Sequence, residues 1–257
     1  MATVKTKAQF VKPMLLLRTD RLPEGANLQY EIKLDGYRAI AFKSGGRVHV
    51  RSRNNKDFNT RYPAIVKALS VIPDETVIDG EIVALDGSGR PSFNALQSYG
   101  SSTTPILYYM FDVMIIDGQD VMAEPLKRRR ELLQTRVLSR LRDPIRESPV
   151  LEASLPDLIR SVKAQGLEGI VTKRVDSRYE PGQRSGAWLK MRVNQGQEFV
   201  IGGYTPAGRN FERSYSGITT TKADWSMPPV RATASRRPPG TSCSGDSESW
   251  RRPSARS

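Results

Sequence analysis

The stretch Tyr30-Glu31-Ile32-Lys33-Leu34 alternates apolar and charged residues with a period of two. In a strand this sends Tyr30, Ile32 and Leu34 to one face, Glu31 and Lys33 to the other. The same pattern predicts strands over 27–34, 37–43 and 47–53, with Ser44-Gly45-Gly46 turning the second into the third. A short helix is predicted over 61–70, where Pro63 suits the first turn. Residues 76–85 read as a strand ended by Asp86-Gly87-Ser88-Gly89, and 106–116 as a long apolar strand stopped by Asp117-Gly118. Leu126, Leu132, Leu133, Val137 and Leu141 mark one face of a helix predicted over 127–141. Its opening run, Lys127-Arg128-Arg129-Arg130, opposes the helix dipole and reads either as a solvated face or as a phosphate contact. A further helix is predicted over 155–165, and strands over 169–175, 187–193 and 198–204. Helices and strands interleave without the rhythm of a doubly wound sheet, so the expected class is α+β.

The length of 257 residues suits one large domain, or a domain with a small companion. Hydrophobic content of 38% and short apolar runs fit a soluble globular protein, and no stretch approaches a membrane span. The opening Met-Ala-Thr-Val-Lys-Thr-Lys lacks the apolar centre of a signal peptide, so a cytoplasmic location is expected. Cys243 is the sole cysteine, which excludes an intrachain disulfide and a cysteine-rich zinc site. His49 is the sole histidine, which excludes serine triads and histidine metal clusters. It lies on the polar face of Arg47-Val48-His49-Val50-Arg51, and no catalytic role is assigned to it. The net charge of +13 suits a polyanionic partner, because each neutralised phosphate releases counterions. Charge does not choose DNA over RNA.

Candidate chemistry centres on Glu31-Ile32-Lys33-Leu34-Asp35-Gly36-Tyr37-Arg38. Read alone, this segment is equally a strand edge with a solvated lysine and an Asp-Gly turn. Further segments follow in order: Arg51-Ser52-Arg53-Asn54, Asp79-Gly80-Glu81-Ile82 and Tyr109-Met110-Phe111-Asp112-Val113. Glu168-Gly169-Ile170-Val171-Thr172-Lys173 and Trp188-Leu189-Lys190-Met191-Arg192 complete the set. Together they resemble the ATP-dependent DNA ligases, most closely the ligase module of bacterial non-homologous end-joining enzymes. The resemblance covers roughly residues 10–211.

The resemblance implies a nucleotidyltransferase (ATP-grasp-like) adenylation domain of antiparallel sheets flanked by helices, occupying residues 1–197. It implies that Lys33 attacks the α-phosphate of ATP, that the AMP passes to a nick 5′-phosphate, and that a 3′-hydroxyl then seals the strand. A free lysine, with an ordinary pKa near 10.4, is charged at neutral pH; burial, a metal or a cation such as Lys190 favours the amine. By the same resemblance Glu31, Arg38, Arg53, Glu81, Phe111, Lys190 and Arg192 join Lys33 in binding ATP, with Phe111 against the adenine ring. Arg38 and Arg53 belong near the ribose and the nick 5′-phosphate, and Lys190 with Arg192 braces the α-phosphate. Glu81 and Glu168 are the expected ligands of Mg²⁺ or Mn²⁺, hard cations that take oxygen donors. Locally, each reads equally well as an ordinary surface or core residue: Glu81 as a strand-edge carboxylate, Phe111 as plain core. The family often has lysine where Arg192 stands, which keeps the charge but alters geometry. Implied partners are nicked or broken duplex DNA and a Ku-type end-binding protein, for a chain acting as a monomer.

The resemblance fails beyond Gly202-Gly203-Tyr204-Thr205-Pro206-Ala207-Gly208-Arg209-Asn210-Phe211. Residues 198–211 correspond to the start of an oligonucleotide-binding (OB-fold) barrel. Residues 212–257 are rich in Ser, Arg, Pro, Thr and Gly and are expected to lack a packed core. A shifted reading frame, a truncated gene and a genuine basic tail all produce such an ending. Two other functional readings stand beside a DNA ligase. One is an RNA ligase or capping-type nucleotidyltransferase; the other is a remnant that grips nicked DNA without turnover.

Overall fold

The computed structural model describes residues 5–97, 104–193, 200–207 and 210–217. It divides into two units, Met1–Gln195 and Gly196–Ser257. The first unit is α+β, as expected. One sheet runs β1–β10–β9–β2, built from β1 (Leu17–Arg18), β2 (Leu28–Ile32), β9 (Gly169–Arg174) and β10 (Trp188–Arg192). The six-stranded sheet runs β4–β3–β5–β6–β7, from β3 (Tyr37–Ser44), β4 (Arg47–Ser52), β5 (Thr76–Ala84), β6 (Ile106–Ile116) and β7 (Gln119–Asp120). β8 (Ile145–Glu147) adds in parallel to β6. All other pairings in this sheet are antiparallel, as are β9 with β2 and β10; β1 joins β10 in parallel.

The sheets and helices stack in layers. Helix α4 (Leu155–Ala164) is capped by Ser154, whose hydroxyl accepts from the Asp157 amide. Its Leu155, Leu158 and Val162 pack with Ile170 and Met191 of the four-stranded sheet, and Tyr30 and Ile32 join that cluster. The alternation read in β2 therefore holds: its apolar face covers α4. Behind the six-stranded sheet, Ile78, Ile82 and Val113 pack against Ile65 of α1 (Pro63–Ala68), Leu96 of α2 (Phe93–Gln97) and Val137. Between the sheets lie Met14, Ile40, Phe111, Tyr179 and Trp188.

The helix expected over 127–141 is not continuous. Helix α3 spans Leu126–Leu132, followed by a wider turn over Leu133–Val137 and a tighter one over Leu138–Arg140. Thr135 and Ser139 donate their hydroxyls to the carbonyls of Glu131 and Thr135, a side-chain competition that disfavours regular helix. Its basic run is also corrected. Arg129 and Arg130 are neither solvated nor open to phosphate; both are buried in ion pairs, while Arg128 faces water beside Glu131.

The second unit contains a hairpin of β11 (Val200–Ala207) and β12 (Asn210–Gly217). It carries regular backbone past the boundary set at 211 from sequence; residues 218–257 lie outside the described ones. No helix among the described residues is long and apolar enough to cross a membrane.

Candidate active site

Two motif glycines allow the chain to close around the site. A methyl group at Gly36 would collide with the Ile82 carbonyl, and one at Gly169 with the Met191 carbonyl. Gly36 thus lets the segment leaving Lys33 cross directly over β5, and Gly169 lets β9 lie against β10. The backbone is held from the other side too, since the Lys33 amide donates to the Gly169 carbonyl at 2.9 Å.

The result is a cleft of about 180 Å³ between the two sheets. The four-stranded sheet and the segment after β2 supply Glu31, Lys33, Val171, Lys173, Trp188 and Lys190. The six-stranded sheet and its loops supply Arg38, Arg53, Glu81, Phe111 and Ser148. Of the residues read from sequence, Glu31, Lys33, Arg38, Arg53, Glu81, Phe111 and Lys190 therefore meet at one cleft. Glu168 and Arg192 stand at its edge. Glu168 Oε2 accepts from Lys33 Nζ at 2.5 Å, and its Oε1 lies 3.2 Å from Arg192 Nε. Arg192 is mostly exposed. His49 stacks on Phe42, with ring centres 4.8 Å apart, and does not line the cleft.

Arg38 is more constrained than the sequence implied. Its Nε and Nη2 hold Asp79 in a two-pronged bond of 2.8 and 2.6 Å, and Nη2 also donates to the Met14 carbonyl at 2.9 Å. Tyr179 donates to the same carboxylate at 2.6 Å. The guanidinium carbon lies 5.0 Å from the Phe111 ring centre. On the ring's surroundings, Lys173 Nζ sits 4.2 Å from that centre and 4.6 Å from that of Trp188. Phe111 and Trp188 meet edge to face at 6.2 Å.

Glu31 is buried in a ring of donors. Oε1 accepts from Gln29 Nε2 at 2.7 Å and Arg130 Nη1 at 3.2 Å. Oε2 accepts from Lys173 Nζ at 2.9 Å and Ser148 Oγ at 3.2 Å. Sequence reading missed Gln29, Arg130, Ser148 and Lys173. Lys173 closes the quoted segment Glu168–Lys173, and its alternation with Val171 was the available signal.

Glu81 and Lys190 are among the groups whose titrations are displaced. Burial pushes the Glu81 carboxyl up to about 8, against the downward pull of Arg38 and Lys33. Burial first, then Lys33 and Arg192, holds the Lys190 ammonium below its ordinary range. The Glu81 carboxylate accepts no hydrogen bond from the described residues, so its oxygens are available to a cation. Glu81 and Glu168 are oxygen donors of the kind a hard cation such as Mg²⁺ takes. Among the described residues, no three His, Cys, Asp or Glu side chains group to hold a metal by themselves.

A lysine, two carboxylates and several phosphate-sized cation donors between two antiparallel-built sheets define a ligase-type nucleotidyltransferase domain. The family model described as ATP dependent DNA ligase domain matches residues 10–192, and the chain belongs to that family. The multifunctional non-homologous end joining protein LigD of Pseudomonas aeruginosa is 38% identical over 200 residues, 77% of this chain and 24% of that protein. The SPbeta prophage-derived DNA ligase-like protein LigB of Bacillus subtilis is 32% identical over 214 residues, 82% of this chain and 78% of that protein. The solved structure of mycobacterial DNA ligase D complexed with ATP and MES matches at a TM-score of 0.66 and 31% identity, covering 82% of this chain and 68% of that one. The chain spans under a quarter of the length of these LigD relatives.

Proposed function

We propose that this chain forms a lysyl-adenylate at Lys33 and passes AMP to the 5′-phosphate of nicked duplex DNA. The observation that carries the reading is Lys33 on Glu168 at the lip of a cleft shared with Lys190, Arg53, Arg38 and Glu81. Nζ–P bond formation with loss of pyrophosphate needs the amine free of its proton. Glu168 holds the ammonium beforehand, and Lys190 adds positive charge where the α-phosphate develops negative charge. Mg²⁺ held by Glu81 and Glu168 would neutralise phosphate oxygens. Phe111 and Val171 offer apolar surface to the adenine, and Arg53 reaches for phosphate. The residue roles follow the family pattern position by position; the names of the end-joining relatives support a part in DNA repair, and a Ku-type end-binding partner, a monomeric enzyme and a cytoplasmic location belong to the same proposal.

The adenylation domain is taken as 1–197, followed by residues 198–211 that correspond to the start of a barrel and by the unmatched stretch 212–257. On that reading the chain seals intact nicks poorly with ATP, and pre-adenylated nicks better, because they bypass the first step. DNA affinity falls steeply with salt. Mass spectrometry after ATP and Mg²⁺, or after isolation from cells, tests the central claim: AMP on Lys33 is expected. An adduct that persists in Lys33→Ala would overturn it, and efficient multiple-turnover sealing by the 257-residue chain would refute the need for a complete barrel.

A further inference from the structure

Strand β4 sorts its residues by face. Val48 and Val50 turn to the apolar cluster that holds Ile65 of α1. Arg47, His49 and Arg51 therefore share the opposite face, and Arg53, two residues past Arg51, lines the cleft. Pairing with β3 sets the row in place: Ser44 stands opposite Arg47, Phe42 opposite His49 and Ile40 opposite Arg51. Successive members of the row on the strand stand about 7 Å apart.

The strand is also held from its outer edge. The Ser52 amide donates to the Lys56 carbonyl and the Phe58 amide to the Val50 carbonyl, both at 2.9 Å. Asn59 spans the rest: its Oδ1 accepts from the Val50 amide at 2.7 Å, and its Nδ2 donates to the Val48 carbonyl at 2.9 Å. His49 lies nearly flat on Phe42, the ring planes 22° apart, and no described residue bonds its ring nitrogens.

The cations of this row are short of partners. Arg51 has only Asp57, at 3.7 Å, and Arg47 and Arg53 have no carboxylate partner among the described residues. Elsewhere on the surface Arg128, Arg146, Arg160 and Arg174 hold carboxylates at 2.8 to 3.1 Å. Arginines paired in that way present little net charge, whereas the β4 row presents its charge outward.

We propose that this row is a track for one phosphodiester strand of the duplex, which leaves the cleft at Arg53 and runs along β4 past Arg51, His49 and Arg47. Successive phosphates of one strand advance about 3.4 Å along the axis and wind around it as they go, which puts them roughly 6–7 Å apart, close to the spacing of the row. Each guanidinium forks onto phosphate oxygens, and the edge of the His49 ring adds a donor. No base edge is addressed, so the track is indifferent to sequence. The track rests on reading the cleft as a ligase site and gives its DNA a direction across the protein.

Fluorescence anisotropy of a nicked duplex with the 257-residue chain, from about 50 to about 200 mM salt, tests this, with melting curves as a fold control. Arg47→Gln and Arg51→Gln should each flatten the slope of log affinity against log salt by about 0.9, the value of one phosphate contact. Arg140→Gln removes the same charge behind the six-stranded sheet and should leave the slope unchanged. Neutral methylphosphonates placed one at a time along each strand give the register. The position that loses its effect in Arg47→Gln should lie about two nucleotides beyond the one that loses it in Arg51→Gln. If the half-buried Arg51→Gln fails to fold, the exposed Arg47→Gln decides alone. Unchanged slopes in the row variants, equal flattening by Arg140→Gln, or one methylphosphonate position shared by both variants overturns the track, and AMP on Lys33 then leaves the ligase reading standing. No binding of the duplex, together with no AMP on Lys33, overturns both.

Discussion

Glu81 gives this fold a pH dependence of stability opposite to that of a salt-bridged carboxylate. Its carboxyl is pushed from an ordinary 4.5 to about 8, chiefly by burial in β5. The unfolded chain releases that proton near the ordinary value, so between pH 4.5 and 8 the native state binds more protons. Unfolding free energy then falls as pH rises. The contribution is fully present below 4.5 and is lost as pH climbs through about 8. A gap of about 3.5 pH units, at about 1.36 kcal/mol per unit, caps the loss near 5 kcal/mol. Glu81→Gln keeps the shape and removes the titration. Urea unfolding of both chains across pH 4.5 to 8 isolates it, because Asp35, also raised by burial, titrates in both and cancels. The wild-type curve should fall relative to Glu81→Gln over that window. Parallel curves would refute the reasoning. Magnesium bound at this carboxyl must displace the same proton, so its apparent affinity should drop about tenfold per pH unit below 8.

Three further outcomes are expected. Glu168→Ala and Lys190→Ala should abolish sealing of a pre-adenylated nick while shifting stability by no more than about 1 kcal/mol, since neither contributes to the apolar core; retained sealing in either would remove its assigned role. Arg129→Met removes the two-pronged ion-pair partner of the buried Asp112 and should cost about 3–5 kcal/mol in urea unfolding, most of it restored by adding Asp112→Leu. Gly169→Ala, which drives a methyl into the Met191 carbonyl, should cost roughly 3 kcal/mol and a lower melting temperature; an unchanged melt would show that β10 yields there.

Much of the site was legible because its segments obey local rules. Glu31 and Lys33 share the polar face of a strand, and the glycines beside Lys33 and Glu168 mark close backbone crossings. What periodicity could not say was that this polar face is the more buried one. A strand that lines a ligand cleft hides charge rather than exposing it, so Gln29 and Glu31 are more enclosed than Leu28 and Tyr30. The basic run of α3 misled for the same reason. Arg129 and Arg130 have partners, Asp112, Glu31 and Glu147, that lie 17 to 99 positions away in sequence. Nothing local distinguishes an arginine destined for such a partner from one facing water. Short elements such as β1, β7, β8 and α2 escaped because they carry too few residues for any period to register.

The cleft is also a seam. Lys33, Lys173 and Lys190 belong to one sheet; Glu81, Phe111 and Arg38 belong to the other. At the cleft itself, past the apolar cluster of Met14, Ile40 and Trp188, the ties are ionic and aromatic: Arg130 to Glu31, Lys173 over Phe111, and the Asp79–Tyr179 bond. Such a joint resists opening less than a continuous apolar core, so amides along β2 and β9 should exchange with solvent before those at the centre of β5 and β6. A nucleotide spanning both sheets becomes a cross-link. At a hundredfold excess over its dissociation constant it would add about 2.7 kcal/mol to the cohesion of the domain. Turnover then alternates a clamped molecule with a slackened one, and the slackened form is the one a protease would find first.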